Sequence, residues 1–158
     1  MNKEETLALY EQGRDAWNAW AEKMLADRTA LEAAGAWKNA SKAYFEEHSF
    51  DTEADFRGFI FPGGAGFDGT TFRDTAGFGG ATFRGTAWFG LSVFNCSADF
   101  TNAVFQGAAA SRQESRVAVR PDRPGASHPS RRARARPSGG GGNKQAELLA
   151  FLILRSRC

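Results

Sequence analysis

The chain is poor in the residues that carry most enzyme chemistry. It has two histidines, His48 and His128, and two cysteines, Cys96 and Cys158, in 158 residues. With no cysteine cluster beside the histidines, no metal site is expected. Two cysteines make no disulfide framework, which fits a reducing cytoplasm. The start, MNKEETLALY, lacks the basic residues and apolar core of a secretory signal. The longest apolar run, LLAFLIL near the C-terminus, is too short to span a bilayer. GGAGFDG has the glycines of a phosphate loop but neither the lysine nor the following helix. Asp55, Asp68 and Asp99 fall at positions expected to face solvent. These absences point away from an enzyme, and no catalytic, cofactor-binding or metal-binding residue is assigned.

Charge is divided unevenly. Residues 1–49 hold six Lys or Arg against nine Asp or Glu, and residues 50–108 hold three against six, so each part nets −3. Residues 109–158 hold 11 against three, a net of +8. From 109 to 144 there is no Phe, Tyr, Trp, Leu or Ile. Such a stretch cannot bury enough apolar surface to offset the entropy of ordering, so 109–158 is expected to be a disordered basic tail. Its SRRARARPS has no interleaved aromatics on which bases could stack, which argues against nucleic acid as a partner. The Arg, Pro, Ala, Gly and Ser of the tail, with serine at positions 111, 127 and 138 where a phenylalanine would be in phase, also fit translation out of frame.

What is abundant is phenylalanine, and it is periodic. It occurs at 50, 56, 61, 67, 72, 78, 83, 89, 94, 100 and 105, in alternating steps of six and five, accounting for 11 of the 14 in the chain. Neither a helix nor one strand keeps such positions on a single face, so the period of eleven marks an internal repeat. Two residues before Phe56 through Phe105 the side chain is small in nine cases of ten, Phe59 being the exception. Two residues after them come mostly Gly, Asp and Asn, which suit turns or positive φ. Short extended segments joined by regular corners, each turning one small and one large side chain inward, wind into a coil with a dry core. Phe56, Phe61, Phe67, Phe72, Phe78, Phe83, Phe89, Phe94, Phe100 and Phe105 are that expected core.

The runs ADFRG, ATFRG and SADFTNAVFQG resemble the pentapeptide repeat proteins, over roughly residues 50 to 108. The resemblance implies an all-β solenoid, a right-handed quadrilateral β-helix with the central and small residues inside. Because every second unit has six residues, a turn takes 22, giving under three coils and a rod of roughly 13 Å at about 4.8 Å per layer.

Before it, residues 1–49 read as a cap. Tyr10, Trp17, Met24 and Leu31 repeat every seven, with Leu7, Trp20 and Leu25 beside them, which predicts one amphipathic helix over the first 35 residues. Asn2 and Glu5 suit its start and Gly35 its end. Residues 36–49 then form a connector. Laid over the first coil, this helix covers one open end.

The resulting expectation is a non-catalytic structural or interaction module with an unknown protein partner, no cofactor and no membrane span. The other end of the rod, still in phase at Ala109 and without a capping motif, suits self-association as a homodimer. The alternative, that of family members which mimic duplex DNA and bind DNA gyrase, calls for a longer and more acidic rod.

Overall fold

The structure is a computed structural model that describes residues 1–110; the expectations for the basic tail and for LLAFLIL lie outside the described residues. Four short helices come first: α1 (Lys3–Glu11), α2 (Arg14–Ala26), α3 (Arg28–Ala33) and α4 (Trp37–Ala40). Thirteen strands of two residues follow, from β1 (Ala43–Tyr44), β2 (Ser49–Phe50), β3 (Ala54–Asp55) and β4 (Ile60–Phe61) to β13 (Ala109–Ala110).

Every strand pairs in parallel with the strand 22 residues away: Phe50 with Phe72 and Phe72 with Phe94, Ala43 with Ala65 and Ala65 with Ala87. The result is four narrow sheets, ordered β1-β5-β9-β13, β2-β6-β10, β3-β7-β11 and β4-β8-β12, which are the four sides of a quadrilateral β-helix. Ring positions show the same turn. The Phe78 ring lies 4.9 Å from Phe56 and 4.7 Å from Phe100, nearly parallel to both, but 5.9 Å from Phe72 and 6.3 Å from Phe83. Neighbouring columns meet edge to face, as Phe67 does Phe78 at 89°, so each ring's electron-poor edge meets an electron-rich face.

The first coil opens at Ala43, ahead of residue 50, because Phe45 continues the alternation and is fully buried, stacked on Phe67 at 5.0 Å. The segment taken for a connector therefore contributes a strand and a core ring. Residues 43–64, 65–86 and 87–108 make three coils, and β13 starts a fourth by pairing with β9.

The two step lengths correspond to two kinds of corner. In each five-residue step the carbonyl of a core phenylalanine accepts from the amide three residues on, as Phe56 does from Phe59 and Phe78 from Ala81. The third residue of the turn has positive φ: Glu47, Gly58, Gly69, Gly80, Leu91 and Asn102. This is the type II turn, whose third position favours glycine. The six-residue corners use the additional residue instead, and Gly63, Asp74, Gly85 and Gly107 there have no positive φ.

Leu91 holds φ +57 with 70% of its surface exposed, so it gains little from packing and bears the left-handed strain of an L-residue. Leu91→Gly is expected to stabilise the protein by up to about 1 kcal/mol, the strain relieved less the added chain entropy of glycine. An unchanged or lower urea midpoint would contradict this.

The helices do not form the single rod that the seven-residue stripe predicts. Gly13, at φ +90, turns the chain between α1 and α2, which lets Tyr10 and Trp17 reach different parts of the first coil. Asn2 and Glu5 form a complete capping box at α1. Gly35, at φ +66, ends α3, with Gly35 N donating to Glu32 O and Ala36 N to Leu31 O. No described helix is long and apolar enough to cross a membrane.

Candidate interaction surface

A β-helix has two ends at which strand amides and carbonyls lack a neighbour, and here they differ. At the first coil, side chains of α1 and α2 take the place of the missing strands. Thr6 Oγ1 accepts from Tyr44 N at 3.2 Å, and the Tyr10 hydroxyl oxygen accepts from Asp55 N at 3.0 Å. Trp17 Nε1 donates to Ile60 O at 2.9 Å. The Asn18 amide does both, accepting from Ile60 N at 2.9 Å and donating to Gly58 O at 3.0 Å, as a peptide unit of another coil would. Burial raises the Tyr10 pKa above its ordinary value, keeping the phenol neutral in this role. The rings of Tyr10 and Trp17 also cover Phe59, whose bulk at a small-residue position reaches up to them at 6.0 and 5.4 Å. Asn18→Leu keeps the bulk but leaves Ile60 N and Gly58 O without partners; the expected loss is about 2 kcal/mol, read as a lower urea midpoint at unchanged slope.

At the third coil no such cover is present among the described residues. The amides of Ala76, Phe78 and Gly80 donate to Ser97, Asp99 and Thr101; those of Ala98, Phe100 and Asn102, one coil on, meet no acceptor among the described residues. The core is also less closed here. Phe94 is half-buried, whereas Phe56, Phe61, Phe67, Phe72, Phe78 and Phe83 are fully buried and Phe89, Phe100 and Phe105 nearly so.

The outer faces carry the remaining variety. Outward residues of the four sides run Tyr44, Gly66, Trp88; Ser49, Thr71, Val93; Asp55, Gly77, Asp99; and Ile60, Thr82, Val104. Gly66 and Gly77 leave notches that longer side chains fill. Glu46 lies by Gly66 and pairs with Lys42 at 2.8 Å, and Lys42 Nζ sits 4.3 Å from the Tyr44 ring and 5.4 Å from that of Trp88. Arg57 lies by Gly77 and pairs with Asp55 and Glu53.

Charge falls along the rod. The first coil has one basic against five acidic residues, the second two against two, and the third only Asp99. The third coil also exposes Leu91, Val93 and Val104, at 70%, 48% and 45%. Isolated apolar side chains on a surface are ordinary, but on a coil with a single charge they leave it without the charged guards that keep strand edges apart.

The aspartates have structural partners. Asp68 Oδ1 accepts from Gly90 N at 2.7 Å, tying two coils together, while Asp55 and Asp99 accept from the amides of Arg57 and Thr101, two residues on, at the start of a turn. Hydrogen bonding from Thr101 holds the Asp99 carboxyl below its ordinary pKa. His48 has its pKa lowered by burial against the core, where it meets Phe50 edge to face at 4.6 Å. Among the described residues no group of three or more His, Cys, Asp or Glu could hold a metal ion. Cys96, at the six-residue corner after Phe94, is disulfide-bonded.

Of the roles described here, the core was visible in the phenylalanine spacing. The sealing residues Thr6, Tyr10, Trp17 and Asn18 were not singled out for hydrogen bonding, because each partner lies about forty residues away in sequence, as Asn18 and Gly58 do.

Residues 56–104 match the family model for pentapeptide repeats, in nine copies. A search of curated proteins and a search of solved structures returned no match.

Proposed function

On a body of pentapeptide repeats, we propose a non-catalytic protein-interaction module that binds through its third coil, with a second copy of the chain as the favoured partner. The observation that supports this most is the contrast between the two ends. The first coil is acidic and hydrogen-bonded to its helical cap; the third has one charge, three exposed apolar side chains and, among the described residues, no acceptor for the amides of Ala98, Phe100 and Asn102. Two such edges brought together hydrogen-bond and exclude water from the last layer of phenylalanines.

Sedimentation of the full chain in reductant is the test. Association that rises with concentration, and that Val93→Lys with Val104→Lys abolishes, is the expected result; a monomer throughout the accessible range overturns the homodimer. The DNA-mimic reading draws less support, since the acidic residues gather on the first coil and the second is neutral. No effect of the purified protein on gyrase supercoiling is expected.

A further inference from the structure

We infer that the cap carries an interaction surface of its own, a groove along α1 and α2 that takes a basic, amphipathic helix of a partner protein. The inference stands apart from the reading of the third coil, which lies at the other end of the rod.

The first observation is that the cap has two apolar faces, where sealing the rod needs one. Thr6, Tyr10, Trp17 and Asn18 face the first coil and bond to it. Leu9, Trp20 and Met24 are only half-buried and, with Met1, line a separate open trough of about 530 Å³. Along α1 and its C-cap the trough follows Glu5, Ala8, Leu9 and Gln12, the spacing of one helix face, while Trp20 and Met24 bound it one turn apart on α2. Ala8 and Ala40 are small, which lets a docked backbone come close.

The second observation is the shape of this surface. Glu5 and Gln12 stand seven residues apart, roughly 10 Å at the rise of a helix, which is about two turns of a partner helix with apolar anchors at i, i+3 or i+4, and i+7. An extended peptide fits poorly, because the walls are the sides of helices whose amides and carbonyls already bond within the helix. A helix satisfies its own backbone groups and needs nothing from the walls. The methionines supply unbranched, adaptable side chains against which different anchors can pack. The third observation is charge. Residues 1–27 hold three Lys or Arg against six Asp or Glu, a net of −3, and Glu5 stands 63% exposed on the rim. Such a rim attracts lysine or arginine flanking the anchors and repels an acidic helix.

The chain has two methionines and both line the trough, so methyl-labelled methionine reports on it alone. The full chain is titrated with a synthetic helical peptide of leucine and lysine whose leucines lie on one face. Both methionine methyl signals should shift and saturate, and the same residues in scrambled order, or glutamate in place of lysine, should bind about tenfold more weakly or worse. Ala8→Lys, at an exposed helical position, puts a long charged side chain into the trough and should also weaken binding by about tenfold or more. Ala26→Lys makes the same change of charge at an exposed position of α2 outside the trough, and should weaken it by less than about threefold. Methionine signals that stay still, or equal losses in the two variants, overturn the groove. A glutamate peptide that binds as well as the lysine one overturns the basic partner. Methyl shifts that track protein concentration without peptide mean that a second copy fills the trough, and they overturn the partner helix.

Discussion

Replacing Phe83 with alanine should lower stability by about 3 to 5 kcal/mol, the usual cost of cutting a buried aromatic down to a methyl group. The ring is fully buried, stacked between Phe61 at 4.7 Å and Phe105 at 4.6 Å and edge-on to Phe89. Its loss opens a gap that the coils above and below cannot fill, because their hydrogen bonds fix the spacing of the layers. Small domains have only about 5 to 15 kcal/mol in total, so much of the folded population is at stake. Phe94→Ala is the control: this ring is half-buried in the third coil and, among the described residues, stacked only on Phe72 at 4.7 Å, and its removal should cost less than half as much. Equal losses in urea denaturation would mean that the columns do not hold the rod together.

Gly85→Ala should cost about 3 kcal/mol, the upper end for overpacking, and more if the corner cannot shift. Gly63, Gly85 and Gly107 stand one above another at the six-residue corner, and the backbones come so close that a β-carbon on Gly85 would overlap the Gly63 carbonyl and lie 2.8 Å from Gly64 N. Backbone atoms in a ladder have nowhere to move. Gly80 separates this effect from conformational strain. It has φ +67, yet nothing lies within 4 Å of its would-be β-carbon, so Gly80→Ala should cost only the left-handed strain of about 1 to 2 kcal/mol. A smaller loss at Gly85 than at Gly80 would contradict the close approach.

The sheets and core were legible in the sequence because they depend on spacing alone. A large and a small inward residue every five or six positions can be read without knowing what they touch. Phe45 was passed over because Glu46, Glu47 and His48 stand where later coils have glycine and threonine, although Glu47 adopts the same positive φ as Gly69 and the Thr70 hydroxyl bonds across to Phe45 O at 2.6 Å. The difference between corners was hidden as well. Glycine occurs at both kinds, for positive φ at Gly58, Gly69 and Gly80 and for close approach at Gly63 and Gly85. The break at Gly13 escaped because the seven-residue stripe runs through it unaltered. The contrast between the ends was partly visible, in the absence of a capping motif after Ala109, but the bonds that seal the first coil join residues far apart in the chain and leave no local pattern.

The hydrogen-bonded helical cap also orders events in time. Each turn of the rod closes over 22 residues and needs only the turn before it as a template, whereas the first turn has the cap, made of residues already synthesised when Ala43 appears. A chain emerging from the ribosome therefore meets a finished surface at every step, and growth runs from the N-terminal end outward without waiting for any distant partner. On this account the cap is a starting block, and a chain interrupted at any later turn retains a folded beginning.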